Sequence, residues 1–99
     1  MKFVERIKQL REERQLPQRK LATTLDIDTA TYCKIEKGER RAKAEQVVVI
    51  ADLLQTNKDE LLALWLADQV AEVVDNEQKV ADKALNIAKK EKNKQIKRK

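Results

Sequence analysis

Histidine is absent from the 99 residues, and cysteine, glycine, proline, tryptophan, tyrosine and phenylalanine occur once each. Without imidazole there is no histidine metal ligand and no histidine acid–base pair, and a lone thiol builds neither a disulfide framework nor a zinc-binding cluster. No metal and no cofactor are expected. One glycine cannot make a glycine-rich phosphate loop, and no nucleophile stands in a pattern with a base, so an enzyme is not expected either. No apolar run approaches the roughly 20 residues needed to cross a bilayer. The first residues form a charged amphipathic segment rather than a basic start, an apolar run and a cleavage site, and the expected compartment is the reducing cytoplasm. With so few breakers and so much Leu, Ala, Lys, Glu and Gln, the elements should all be helices.

What is abundant is charge, at 39% of residues, and its placement says more than its net value of +5. Residues 1–43 hold 12 basic and 7 acidic side chains, residues 44–88 hold 3 and 9, and residues 89–99 hold 7 and 1. A basic head suits a polyanion, while the acidic waist and basic tail need another account. The length suffices for one compact core and a helical extension.

Phe3, Ile7 and Leu10 recur at four- and three-residue steps, which predicts an amphipathic helix over residues 3–14. Pro17 suits the first turn of a second helix, where a missing N–H costs nothing, with Leu21, Ala22 and Leu25 as its narrow apolar face. Asp26 reads as a left-handed turn residue, Ile27 as an apolar pin, and Asp28 as the N-cap of a third helix. That helix, about three turns long, turns Tyr32 and Ile35 inward with Thr31 beside them, and Gly38 is its left-handed stop. After a charged loop, Val47, Ile50, Ala51 and Leu54 mark a fourth helix. Asn57 and Glu60 make a capping-box-like start for a fifth, which buries Leu61 and Leu64. Residues 1–64 are thus read as one domain.

Leu66, Val70, Val73, Val80, Ala84 and Ile87 continue in alternating four- and three-residue steps interrupted by Glu77, a seam that needs a partner. Residues 65–88 are read as a dimerisation or partner-binding segment, either one long helix or two helices folded together with Asp75 and Asn76 as caps. Trp65 anchors either the domain core or an interface. The segment 89–99, with only Ile96 to bury, reads as a frayed, disordered tail.

Two short helices joined by a tight turn, the second opening with small polar residues and ending in glycine, can lay one helix in a DNA major groove. The stretch Leu16-Pro17-Gln18-Arg19-Lys20-Leu21-Ala22, then Leu25-Asp26-Ile27-Asp28, then Lys34-Ile35-Glu36-Lys37-Gly38, resembles the helix-turn-helix of the Cro and cI repressor class, the XRE family. Ile50-Ala51 and Leu54 extend the likeness, which covers residues 3–64. The resemblance implies an all-α chain: a five-helix lambda-repressor-like helix-turn-helix domain followed by a C-terminal helical dimerisation extension. It departs from the family pattern at Pro17, where Ser or Thr is usual, at Asp26, where Gly is usual, and at Asp28, where Ser is common. Two carboxylates beside the groove repel phosphate and should trim affinity.

The resemblance further implies that Thr29, Ala30 and Lys34 face base edges with Thr31 and Cys33 near the groove surface. A lysine can donate to guanine O6 and N7, and an alanine methyl can touch thymine. Gln18, Lys37, Arg40, Arg41 and Lys43 are then placed for phosphates. Glu36 pairs in this family with an arginine of the first helix, here Arg11. Cys33 is read as a small passive residue, since no resolving thiol accompanies it. The implied function is a sequence-specific regulator of transcription that binds an inverted repeat in double-stranded DNA as a homodimer, whether phage-type, autoregulatory or a restriction–modification controller. The seam of Leu66, Val70, Val73, Val80, Ala84 and Ile87, with Trp65, would be the dimer interface. An antitoxin-like module whose C-terminal helices grip a protein partner is the competing reading.

Overall fold

The computed structural model describes residues 1–77 and 80–97, with side chains for residues 1–77 and 80–92. The described residues form six α-helices and no strand: α1 (Lys2–Glu13), α2 (Gln18–Thr24), α3 (Thr29–Glu36), α4 (Ala44–Leu53), α5 (Lys58–Asn76) and α6 (Ala81–Lys97). The chain divides into two compact units, residues 1–68 and 69–99. The head therefore extends past the expected boundary at residue 64.

The head core is assembled from the faces that periodicity marks. Phe3, Ile7 and Leu10 of α1, Leu21 and Ala22 of α2, Tyr32 and Ile35 of α3, Val47, Ile50 and Ala51 of α4, Leu54, and Leu61 of α5 are all buried. Each large apolar side chain so enclosed contributes about 1.5–3 kcal/mol. Leu64 is only half-buried, and Ala42, from the loop after α3, joins the core. Helix α3 packs against both α1 and α2 and is thereby held from behind.

Helix boundaries follow local chemistry, with some surprises. Pro17 is the extended cap before α2 (φ −76°, ψ 155°) rather than its first helical residue, and α2 ends one residue before Leu25. Helix α3 has 8 residues, shorter than the expected three turns. Asp26 is left-handed at φ 57° and Gly38 at φ 78°, as their residue types suggest, but Gln15 and Gln55 are left-handed too. A Cβ at Gly38 would also meet Met1 Sδ at 2.8 Å, but that is the far end of a flexible, exposed side chain free to move aside, so it is the left-handed φ that favours glycine there.

Two long-range bonds complete the head. The Asp68 carboxylate accepts from the backbone N–H groups of Lys2 (3.0 Å) and Phe3 (2.8 Å), so a residue of α5 caps the start of α1. The Trp65 indole Nε1 donates to the Ala42 carbonyl at 2.8 Å while its ring packs on the core. Trp65 is thus held against the core of the head, the first of the two places the sequence offers it.

In the second unit the end of α5 and the start of α6 are separate helices, which answers the choice left open by the sequence. An open groove of about 350 Å³ lies between them, lined mainly by Val70, Val73, Val74, Ala81, Ala84 and Leu85. The backbone of α6 stays helical through Lys97, well into the stretch read as frayed; residues 98 and 99 lie outside the described residues.

Candidate nucleic-acid interface

The site is built on α3 and the turn before it. Asp28 is extended (φ −77°, ψ 160°), and its Oδ1 accepts from the Thr31 N–H at 2.6 Å, closing the first turn of the helix. Hydrogen bonding by the Thr31 side chain, followed by that backbone N–H, holds the Asp28 carboxyl below its ordinary range, with smaller help from the charges of Lys34 and Arg40. Part of the negative charge expected to repel phosphate is therefore directed at a backbone N–H.

The inner face of α3 is fixed by burial and by one ionic strut. Tyr32 and Ile35 are buried, and so is Glu36, a carboxylate that needs partners inside a protein. Arg11 supplies them, its Nε donating to Glu36 Oε2 at 2.7 Å and its Nη2 to Oε1 at 3.1 Å. The remaining guanidinium nitrogen, Nη1, donates to the Leu16 carbonyl at 2.8 Å, tying the α1–α2 link into the same fork. Burial alone would push the Glu36 carboxyl up; the hydrogen bonds from Arg11 and other neighbours, with the Arg11 charge, outweigh it and hold it below its usual range. The Tyr32 hydroxyl is buried beside this carboxylate without an aligned hydrogen bond, and burial followed by Glu36 raises its phenol well above the ordinary value.

Gln18, the first residue of α2, extends the network. Its Nε2 donates to Glu36 Oε1 at 3.2 Å, and its Oε1 accepts from Cys33 Sγ at 3.0 Å. One amide N–H of Gln18 is left over for an external acceptor. Gln18 and Cys33 are both half-buried. Neither contact was legible in the sequence, because it depends on how two helices pack. The pairing of Glu36 with Arg11 was legible from the family resemblance.

The outer face carries the remaining residues. Thr29, Ala30 and Lys34 are exposed on α3, whereas Thr31 is half-buried. Lys37, Arg40, Arg41 and Lys43 are exposed along the segment that leaves the helix. That segment is anchored, since the N–H groups of Glu39 and Arg40 donate to the Lys34 carbonyl at 2.9 and 3.2 Å and the Lys43 N–H donates to Gln46 Oε1 at 2.8 Å. Arg19 and Lys20, exposed at the start of α2, add two cations that the sequence reading quoted without giving them a role. Their position in the first turn beside Gln18 was the available signal. Among the described residues no group of acidic or cysteine side chains could hold a metal ion.

A short α2, a left-handed turn and an N-capped α3 with a polar outer face define a helix-turn-helix. Residues 2–65 match the helix-turn-helix domain family, and the chain belongs to it, as a DNA-binding protein of the Cro/cI (XRE) type. It is similar to the cryptic phage CTXphi transcriptional repressor RstR of Vibrio cholerae serotype O1, with 34% identity over 74 residues. That alignment covers 75% of this chain and 66% of the relative, just under two thirds of its length. No solved structure matches the chain. Among the described residues no helix is long and apolar enough to cross a membrane.

Proposed function

We propose that this protein regulates transcription, as a repressor, by binding an inverted repeat in double-stranded DNA as a homodimer. Helix α3 enters the major groove; Thr29, Ala30 and Lys34 meet base edges, with Thr31 and Cys33 at the groove wall. Gln18, Lys37, Arg40, Arg41 and Lys43 take phosphates, which set register and salt dependence but carry no sequence information. The observation that carries this reading is the two-sidedness of α3: Tyr32, Ile35 and Glu36 are locked inward while Thr29, Ala30 and Lys34 stand exposed. The repressor relative supports the direction of regulation.

The dimeric part of the proposal is supported by the exposure of Leu66, Val70, Val73, Val80 and Ile87, large apolar side chains that a monomer leaves in water. The same exposure supports the second reading, in which another protein covers them. Enrichment of randomised duplexes on the purified chain at near-physiological salt tests the first. An inverted repeat with half-sites about 10 base pairs apart is expected; a single half-site would remove the dimer, and no enrichment would remove sequence-specific binding.

A further inference from the structure

The groove of the second unit has a property that the apolar seam alone does not express. Along α6, Ala81, Ala84, Leu85 and Ala88 line it, and Glu77 lines it at the turn before the helix. The α6 positions Ala81, Ala84, Leu85 and Ala88 share one helical face, the next position on that face after Ala88 is Lys92, which is exposed, and Glu77 stands four residues before Ala81, outside the helix. In sequence the row is symmetric about the midpoint between Ala84 and Leu85. Ala81 mirrors Ala88, and Glu77 mirrors Lys92. It is also antisymmetric in charge, with a carboxylate at one end and an ammonium at the other.

Within one chain the two charges do not meet. Lys92 lies eleven residues along α6 from Ala81, about 16 Å of axial rise, in the direction that leads away from Glu77. A second α6 laid antiparallel across the first, with the two midpoints level, brings each Glu77 to the other chain's Lys92 and each Ala81 to the other chain's Ala88. The small side chains allow close approach, and Leu85 of each copy faces the valines of α5 that line the groove. A parallel arrangement would set Lys92 against Lys92. The wider charge pattern has the same sense, with Asp75, Glu77 and Asp82 outnumbering Lys79 and Lys83 before the midpoint and Lys89, Lys90 and Lys92 outnumbering Glu91 after it.

We propose that the occupant of this groove is α6 of a second copy, antiparallel and centred on Ala84 and Leu85, with Glu77 of each chain paired to Lys92 of its mate. The interface is isologous, as a two-fold dimer requires. The proposal rests on the dimeric reading given above and specifies how that dimer is made.

Sedimentation of the full chain at micromolar concentration and near-physiological salt tests it. Glu77→Lys and Lys92→Glu should each weaken self-association on the order of 10-fold, because each variant puts like charges together twice per dimer. An equimolar mixture of the two variants should recover wild-type association as a heterodimer, and the double variant should recover it as a homodimer. Leu85→Asp, at an exposed position where the helix itself survives, should leave a monomer of unchanged helix content. If the wild type dimerises but neither charge variant weakens it, or the mixture does not recover, the antiparallel α6 pairing is overturned while the dimer stands. A monomeric wild type overturns the dimer and this pairing together, leaving the groove to a different protein.

Discussion

Glu36 is gripped by two nitrogens of Arg11, at 2.7 and 3.1 Å, with side chains only 3% and 12% exposed, and this pair joins α1 to the C-terminal end of α3. A strut of this kind fixes the tilt of α3 against the rest of the head. It also makes Glu36 a liability if Arg11 is lost, since a carboxylate left in the interior has no other cation.

Arg11→Ala should accordingly destabilise the head by about 3–5 kcal/mol, a large share of the roughly 5–15 kcal/mol available to a small domain. Urea unfolding followed by circular dichroism would show it as a fall in midpoint. The joint replacement Arg11→Met with Glu36→Leu should recover much of that loss, because it removes the stranded charge along with its partner. A double variant no more stable than Arg11→Ala would mean that the strut stabilises the fold through more than mutual charge compensation.

The pH dependence follows from the same pair. The Glu36 carboxyl lies below its ordinary value of 4.5 in the folded head, because the hydrogen bonds it accepts outweigh the effect of burial. A folded value depressed in this way contributes stability that is complete above the unfolded value and is lost as pH falls through the folded one. Asp28 acts in the same direction from its ordinary value of 3.8. Stability should therefore be level near neutrality, where no histidine titrates, and decline below about pH 5. Glu36→Gln should flatten that decline when denaturation midpoints are measured between pH 7 and pH 3.

At the proposed DNA face, Lys34→Ala and Arg41→Ala should differ in kind. Loss of a base-reading lysine changes preference at one or two base positions by about 1–3 kcal/mol. Loss of a phosphate contact weakens all sequences alike and reduces the salt slope by about 1. Titration of operator and scrambled duplexes at several salt concentrations separates the two, and equal losses on every duplex for both variants would contradict the division of roles.

Asp68 offers a test far from that face. Its two oxygens accept the first free N–H groups of α1, so Asp68→Ala should cost about 1 kcal/mol, the usual worth of a helix cap. A domain of this size would show that as a fall of about 4–8 °C in Tm. Asp68→Asn, which keeps one acceptor oxygen, should fall between the two.

Local rules made much of the head readable. The steps of Phe3, Ile7 and Leu10, or of Val47, Ile50 and Ala51, mark a buried helical stripe without knowledge of what they pack against. Asp26, Asp28 and Gly38 announce a turn, a cap and a stop by side-chain chemistry. Gln15 and Gln55 announce nothing, since glutamine has no special tolerance for the left-handed region, and only the packing of successive helices demands it there. Asp68 and Trp65 could not be assigned locally either, because their partners lie 66 and 23 residues away. At the site, the outward residues of α3 came from a family pattern, whereas the Cys33–Gln18 contact depends on the angle between α2 and α3.

The bond from Trp65 to Ala42 ties the chain's only indole to a peptide carbonyl flanked by Arg41 and Lys43. Indole emission is sensitive to the hydrogen bond at its nitrogen, so the protein carries an intrinsic optical gauge on the segment that leaves α3. Events at that segment become visible in the native chain without a dye, a label or an engineered tryptophan.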